Sequence, residues 1–301
     1  MRKYLTILTA IAIATTATAQ QTDFSKVEIK VQKVAGTVYM LTGAGGNIGV
    51  SIGDDGIVIV DDQFAPLAPK IKAALKGITD KPIRFILNTH YHGDHTGGNE
   101  VLGREAPIIA HDNVRKRLAS GTKADTRETP PAPKGALPIV TFNDTATIHL
   151  NGEDIRAVHF PNGHTDGDAV IYFTRSGVVH MGDLFFLGTF PFVDVENGGS
   201  VHGLIADVQK VLNDMPEGTK VIPGHGPLGD KDALSGYLDA LKGTVAITNE
   251  AIQRGETLEQ MKTEKVLAAW EHLASSFVPL EKWTELVYND LIETRYKDKK
   301  P

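Results

Sequence analysis

The sequence contains no cysteine, which excludes disulfide bonds and thiolate metal ligands. Any metal ion must therefore be held by histidine, aspartate or glutamate side chains. The sequence also lacks a run of lysine and arginine, and its formal net charge is -6. Because nucleic-acid binding requires cationic side chains along the phosphate backbone, we expect a small-molecule substrate rather than a nucleic acid as the partner. These features leave the oligomeric state open.

Beyond its first residues the sequence also lacks a long apolar stretch. Arg2 and Lys3 precede a short apolar segment, and small residues follow at 17–19. This order is typical of a secretory signal peptide, whereas a membrane-spanning anchor would require roughly 20 apolar residues. We expect residues 1–19 to be removed and residues 20–301 to form a secreted or periplasmic domain without stable membrane association.

The first part of the sequence has the pattern of a β-sheet followed by helices. β-Branched residues cluster in short runs separated by glycine-rich or Asp-Gly turns, which predicts an antiparallel meander. The predicted strands cover residues 27–34, 37–42, 48–52 and 57–61. Apolar residues at helical spacing predict helices over residues 66–77 and 112–118, and compact apolar strands are predicted at residues 83–88 and 107–110.

A second part repeats this style after a proline-rich connector at residues 121–138. Strands are predicted at residues 139–142, 145–150, 154–160, 169–174, 178–181 and 220–222. Helices are predicted at residues 201–212, 231–253, 258–273 and 280–296. Two sets of strands with helices predict an α+β fold, a four-layer αββα sandwich made of two similar halves joined near 121–138.

A dense cluster of metal-ligating side chains follows the predicted strand at residues 83–88. His90, His92, Asp94 and His95 place three imidazoles and a carboxylate within six positions. A loop at the end of a strand can direct alternating side chains toward two different ions, and zinc prefers imidazole and carboxylate when thiolate is absent. The chance occurrence of such a motif is on the order of one in a thousand, so the cluster predicts a metal site.

Three further candidate ligands occur in glycine-rich loops that follow apolar strands. They are His164, Asp183 and His225. Glycine allows a sharp turn that brings a side chain close to an ion. Each residue alone would be interpreted as an ordinary turn residue, but four such loops in one chain favour a shared metal site.

In this order the four segments resemble the metal motifs of the metallo-β-lactamase superfamily, over most of the mature chain. The resemblance implies two metal positions that share Asp183, one held by His90, His92 and His164 and the other by Asp94, His95 and His225. It also implies the αββα fold of that family and two zinc ions per chain, with iron or manganese as alternatives.

The sequence departs from one branch of this family at three positions. The cysteine-containing β-lactamases have a cysteine where this chain has Asp183, and often an arginine at the position of His95. A lysine that holds the substrate carboxylate in many of them corresponds to Phe186 here. The ligand set resembles instead that of glyoxalase II and related hydrolases, so hydrolysis of β-lactams, lactones and thioesters all remain possible activities.

Other residues are candidates for supporting roles. Asn197 resembles an asparagine that polarises the substrate oxygen in some β-lactamases, although the same residue is also typical of a simple turn. Asp61 and Asp62 end a predicted strand, and one of them is expected to orient a ligand imidazole. The aromatic residues at 185–192 follow Asp183 and are expected either to line the substrate pocket or to pack in the core.

The resemblance implies a hydrolase in which a metal-bridging hydroxide attacks a carbonyl carbon. Asp94 would orient the hydroxide and pass a proton to the leaving group. Because the chain is expected to be exported, a β-lactam or a similar cyclic amide or ester is the first substrate to consider, and a thioester or lactone is the alternative.

Three hypotheses from other classes stand beside hydrolysis. Some members of the family bind a single iron and oxidise persulfides, and metal content distinguishes them from two-zinc hydrolases. The flavodiiron branch is disfavoured because it has a glutamate where this chain has His92. A metal-binding module without activity would be expected to lose ligands, and here all seven positions are filled.

Overall fold

The structure is a computed structural model that describes residues 23–124 and 127–297. The predicted signal peptide lies outside these residues. Within the described ranges, no helix has the length and apolar character needed to cross a membrane.

The described residues form two large sheets and one hairpin. The strands are β1 (Lys30–Ala35), β2 (Val38–Thr42), β3 (Ile48–Gly53), β4 (Gly56–Val60), β5 (Ile83–Leu87), β6 (Ile108–His111), β7 (Thr122–Ala124), β8 (Arg127–Thr129), β9 (Val140–Phe142), β10 (Thr145–Leu150), β11 (Glu153–Phe160), β12 (Asp168–Phe173), β13 (Val178–His180), β14 (Lys220–Ile222) and β15 (Gly229–Asp230). The helices are α1 (Ala68–Lys76), α2 (Gly93–Thr96), α3 (Asn99–Leu102), α4 (Asp112–Ser120), α5 (Val201–Asp214), α6 (Lys231–Gln253), α7 (Leu258–Thr263) and α8 (Leu280–Lys297).

The first sheet has the strand order β1-β2-β3-β4-β5-β6-β9, and the second has the order β10-β11-β12-β13-β14-β15. Strands β1 to β4 form the predicted antiparallel meander, after which β4, β5, β6 and β9 run parallel. In the second sheet β10 to β13 are antiparallel, and β13 pairs in parallel with β14. The hairpin β7–β8 lies in the segment predicted as a connector.

Strand β4 illustrates how the first sheet is buried on both faces. Val58 and Val60 belong to a cluster that also contains apolar residues of β11 and β12, so this face packs against the second sheet. Ile57 and Ile59 belong to a cluster with Ile71 of α1, so the opposite face packs against that helix. Because side chains alternate along a strand, one continuous apolar run supplies both layers.

The second sheet is covered on its outer face by the C-terminal helices. Val179 of β13 lies in a cluster with Val208 of α5, Leu238 of α6 and Trp283 of α8. Helix, sheet, sheet and helix therefore form four layers, which confirms the predicted αββα sandwich.

Two predicted elements differ from the structure. The strand at 139–142 was predicted to open the second half, but Val140–Phe142 pairs with β6 and completes the first sheet. Only Phe142 of this edge strand is buried, so its pattern does not indicate which sheet it joins. The single helix predicted at 258–273 is interrupted after Thr263, and a short 3-10 helix follows at Ala268–Leu273.

Candidate metal centre

The loops that follow several strands meet at one edge of the two sheets. The loop after β5 carries the His90 to His95 cluster, and the turn from β11 to β12 carries His164. Asp183 follows β13, and His225 follows β14. The carboxyl ends of parallel strands share one edge of a sheet, which is why these distant parts of the sequence converge.

The structure brings together all seven predicted ligands, in two groups. The first group comprises His90, His92, His164 and Asp183, and the second comprises Asp94, His95 and His225. Within each group the ligand atoms all lie within 4.8 Å of one another. Each group has the composition of a site that could hold a metal ion without thiolates.

In the first group, nitrogens of three imidazoles face a common point. Nδ1 of His92 lies 3.1 Å from Nε2 of His90 and 2.8 Å from Nε2 of His164. Oδ2 of Asp183 lies 3.5 Å from Nε2 of His164 and 3.8 Å from Nε2 of His90. Tetrahedral zinc bonds of about 2.0 to 2.1 Å would separate neighbouring ligand atoms by roughly 3.3 Å, so this donor set fits such an ion.

In the second group, the other oxygen of the same aspartate faces the remaining imidazoles. Oδ1 of Asp183 lies 3.0 Å from Nε2 of His95 and 3.5 Å from Nε2 of His225. Oδ2 of Asp94 lies 3.3 Å from Nε2 of His225. Asp183 therefore presents one oxygen to each group.

Two glycines allow this close approach. Gly182 has a φ of +50°, and a Cβ there would lie 2.7 Å from the Thr89 side chain. At Gly224 a Cβ would lie 2.0 Å from Oδ1 of Asp183, and its amide donates to the Gly182 carbonyl at 2.7 Å. A larger residue at Gly224 would displace the shared aspartate, and one at Gly182 would displace Thr89.

Four of the imidazoles are held by hydrogen bonds through the nitrogen that faces away from the centre. Nδ1 of His90 donates to Oγ1 of Thr89 at 3.0 Å, and Nδ1 of His164 donates to the Phe192 carbonyl at 2.7 Å. His92 and His95 instead bond to the carboxylates of Asp194 and Asp61. Such bonds fix the tautomer, so that the other nitrogen is available to bind a metal.

Asp61 holds His95. Its Oδ2 accepts a hydrogen bond from Nδ1 of His95 at 2.7 Å and another from the Thr89 hydroxyl at 2.7 Å. This confirms the prediction that an aspartate after β4 orients a ligand imidazole. Its neighbour Asp62 lies against Gly98 instead, and burial, then the nearby Asp61, raise the pKa of Asp62 well above its usual range.

Asp194 holds His92, although no motif in the sequence predicted this residue. Its Oδ2 lies 3.0 Å from Nε2 of His92 and also accepts a hydrogen bond from the Tyr91 hydroxyl. The one signal in the sequence is that this carboxylate directly follows the apolar residues 190–193. A carboxylate at such a position is expected to be buried and therefore to have hydrogen-bond partners.

Asn197 has a different role from the predicted one. Its side-chain amide donates to both oxygens of Asp194 at 2.9 and 3.0 Å and to the Lys123 carbonyl at 2.9 Å, and its oxygen accepts from Arg117 at 2.7 Å. Asn197 is only 3% exposed. With its donors occupied in this way, it positions Asp194 rather than facing a substrate oxygen.

The two groups differ in charge. Burial lowers the pKa of His164 to about 4 and that of His90 well below its usual range, so both are neutral. In the second group burial opposes protonation, but Asp183 and other carboxylates raise the pKa of His95 well above its usual range and that of His225 to about 9. Despite burial, the surrounding imidazoles hold the pKa of Asp183 well below its usual range.

The aromatic residues after Asp183 have mixed roles. Phe185, Phe186 and Phe190 are buried in the core of the second half. Phe186 also stacks on His225, with 5.0 Å between ring centroids. Phe192 is only partly buried and lies 6.0 Å from the rings of both His92 and His164. Packing explains Phe185 and Phe190, whereas Phe186 and Phe192 both border the metal centre.

Comparison with known proteins agrees with this geometry. The sequence profile of the metallo-beta-lactamase superfamily matches residues 41–266. The chain is 30% identical over 188 residues to the probable metallo-hydrolase YqgX of Bacillus subtilis (strain 168), which covers 58% of this chain and 84% of that protein. It is 30% identical over 159 residues to a hydroxyacylglutathione hydrolase of Pelagibacter ubique (strain HTCC1062), which covers 51% of this chain and 57% of that protein.

Solved structures support the fold. A metallo-beta-lactamase from Pontibacter korlensis superposes with a TM-score of 0.59 at 23% identity, covering 71% of this chain and 99% of that chain. The DIM-1 metallo-beta-lactamase superposes with a TM-score of 0.59 at 20% identity, covering 72% of this chain and 99% of that chain. The chain therefore belongs to the metallo-beta-lactamase superfamily and is a metallo-hydrolase, as its motifs predicted.

Proposed function

We propose that the protein binds two zinc ions and hydrolyses an amide-like or ester-like cyclic substrate, with β-lactams the first class to test. The main support is the arrangement of Asp183, whose two oxygens each face a separate set of imidazoles. Such a shared carboxylate is suited to two ions held close together. The preference for β-lactams rests on the export predicted from residues 1–19.

Two divalent ions would supply an activated water as the nucleophile and a Lewis acid for the carbonyl oxygen. The chain itself provides a carboxylate for proton transfer. The imidazoles of His95 and His225 outweigh the effect of burial and lower the pKa of Asp94 to about 2, so Asp94 is ionised at neutral pH. One of its oxygens can accept a proton from the attacking water and deliver it to the leaving group.

Part of this centre is open to solvent. The side chains of His92, Asp94 and His225 are 18 to 30% exposed, whereas those of His90 and His95 are buried. We therefore expect the substrate carbonyl to approach across the exposed edges of His92 and His225. Asp94 is also partly exposed, so that it can meet the leaving group.

Thioester hydrolysis is the second candidate function. The hydroxyacylglutathione hydrolase of Pelagibacter ubique supports it, and so does the aspartate at position 183. The two candidates share the attack on a carbonyl carbon and differ only in the leaving group. Substrate comparison on one protein preparation therefore distinguishes them.

The test is a hydrolysis panel of a penicillin, a carbapenem, a lactone and a thioester on the zinc-loaded protein. We expect turnover of at least one class, and Asp94→Ala should lower kcat by about 100-fold or more through loss of proton transfer and of a ligand. Asp239→Ala, at an exposed carboxylate of α6, is the matched control and should retain full activity. Absence of turnover on the whole panel by a protein that holds two zinc ions would refute the proposal.

A further inference from the structure

We infer that Phe192 and Phe277 form an apolar subsite beside the first ligand group, where an uncharged hydrocarbon group of the substrate binds. This inference rests on the proposed function, because it assigns part of the substrate to a surface next to the metal centre. The two rings are termed the aromatic subsite below.

The aromatic subsite is continuous with the metal ligands. The Phe192 ring lies 6.0 Å from the rings of His92 and His164, measured between centroids. The Phe277 ring lies 5.6 Å beyond it. An apolar surface thus extends outward from the imidazoles toward solvent, and a ligand that reaches the metals from this side passes over both phenylalanines.

Phe277 is exposed although its surroundings are firmly held. It is 55% exposed, and it is the only aromatic among the large hydrophobic residues exposed in the described part of the chain. The turn that carries it is closed by hydrogen bonds from Ser275 N to the Val278 carbonyl at 3.1 Å and from Val278 N to the Ser275 hydroxyl at 3.0 Å. Val278 itself is buried. Exposed aromatic surface at a fixed position is typical of a binding site.

The segment of Phe192 is fixed to the same ligands. The Phe192 carbonyl accepts the Nδ1 hydrogen bond of His164, and the Asp194 amide donates to the His164 carbonyl at 2.9 Å. The Phe190 amide, two residues earlier, donates to the Leu273 carbonyl at 2.8 Å, which ties the segment to the chain leading to Phe277. The subsite therefore keeps a defined position relative to the imidazoles.

The chemistry of the surface specifies its occupant. Residues 190–193 and 275–278 contain no charged side chain. Neither segment offers a charged partner to a carboxylate or phosphate of the substrate, whereas an alkyl or aryl group would remove Phe277 from water. Phe277 lies outside residues 41–266, the part of the chain that matches the family profile.

The test uses hydroxamates, which bind metal ions through their oxygens and are not hydrolysis substrates of the proposed reaction. Acetohydroxamate and a phenylbutyl hydroxamate are titrated calorimetrically into the zinc-loaded protein. We expect the phenylbutyl compound to bind at least about tenfold more tightly. Phe277→Ala should reduce that preference to about a third or less, while Phe277→Leu retains most of it and acetohydroxamate binds all variants equally.

Val31→Ala is the matched control, because Val31 is an exposed apolar residue on edge strand β1, outside the metal loops. It should leave the preference unchanged. An equal preference in wild type and Phe277→Ala would overturn the aromatic subsite. Should the substrate panel fail while the hydroxamate preference depends on Phe277, the proposed reaction falls and the subsite stands. Should neither hydroxamate bind the zinc-loaded protein, the subsite is refuted, and the substrate panel decides the proposed reaction separately.

Discussion

Thr89 shows how single residues connect the two ligand groups. Its hydroxyl accepts a hydrogen bond from His90 and donates to Asp61, which in turn holds His95. One ligand of each group therefore depends on the same small network. Asp194 has the corresponding function for His92 in the first group alone.

Asp194 contacts a ligand of the first group only, whereas Asp61 contacts His95 directly and reaches His90 only through Thr89. The two carboxylates should therefore act most strongly on different metal positions. Asp194→Asn should weaken metal binding at the first group by about 10- to 100-fold, because His92 loses the acceptor that orients it. Asp61→Asn should act on the second group through His95 by a similar factor. Stepwise titration of the metal-free variants with zinc in competition with a chelator measures the two affinities. An equal loss at both positions in both variants would contradict this assignment.

The protonation states predict different pH dependences for the two groups. In the metal-free protein the pKa of His225 is about 9 and that of His164 about 4. Metal binding at the second group must displace protons at neutral pH, so its affinity should fall steadily as the pH decreases from 9 to 6. His164 and His90 are already neutral over this range.

The measurement is the zinc affinity at pH 6, 7, 8 and 9, together with the number of protons released on binding. We expect zinc binding at the second group, which releases protons, to be lost first as the pH is lowered. Asp94→Ala should reduce that coupling, since Asp94 helps to hold the proton on His225. If the zinc affinities of both groups changed equally with pH, the difference in charge between the groups would not control metal binding.

The seven ligand residues could be predicted because each belongs to a short local motif after an apolar strand. The residues that hold the ligand side chains through hydrogen bonds could be predicted only in part. Asp61 follows a predicted strand toward the loops, whereas Asp194 is 102 residues from His92 and has no motif of its own. Asn197 was misassigned because its sequence neighbourhood does not reveal that Arg117, from α4, occupies its oxygen.

At the scale of elements, the contact between α8 and the start of α5 contains a titratable pair. Asp290 of α8 accepts hydrogen bonds from the amide of Val201 at 2.9 Å and from the imidazole of His202. The bond to Asp290 raises the pKa of His202, even though partial burial acts in the opposite direction. The carboxylate thus caps α5 and pairs with a cation.

This pair should stabilise the protein in a pH-dependent way. Because the folded-state pKa of His202 is raised, its contribution is fully present below the unfolded pKa of about 6.5 and disappears as the pH rises through the folded value. The contribution should be less than about 1 kcal/mol, since the His202 side chain is 43% exposed and water screens the pair.

Urea denaturation of wild type and His202→Ala at pH 6 and pH 9 provides the measurement. We expect the two proteins to differ in free energy of unfolding at pH 6 and to converge at pH 9. Lys210→Ala, which removes an exposed i,i+4 ion pair on the same helix, serves as control. A difference that grows with pH would contradict the assignment.

Helix ends show why some elements were predicted better than others. Helix α6 ends at Gln253 as predicted, because Gly255 takes the left-handed conformation with a φ of +86°. After α7 the same conformation is adopted by Lys265, with a φ of +49°. The Val266 amide donates to the Met261 carbonyl at 3.1 Å and closes this turn. Because the turn contains no glycine, the local sequence carries no signal for the end of α7. Leu267, just beyond the turn, is fully buried.

At the scale of the whole molecule, the residues that stabilise the fold and the residues that bind metal lie in different places. Apolar side chains of both sheets fill the space between them, while the loops beyond the strand ends carry the ligands. Substitution of a ligand should therefore remove function without unfolding the protein. His90→Ala and Asp183→Ala should each abolish turnover and leave the circular dichroism spectrum unchanged.

The central claim is that one aspartate joins two metal positions, and metal content tests it most directly. Elemental analysis of the protein purified without chelators should give two zinc ions per chain, and Asp183→Ala should hold at most one. The exposed-site variant Asp239→Ala should still hold two. A wild-type protein with a single iron, or with no tightly bound transition metal, would contradict the account.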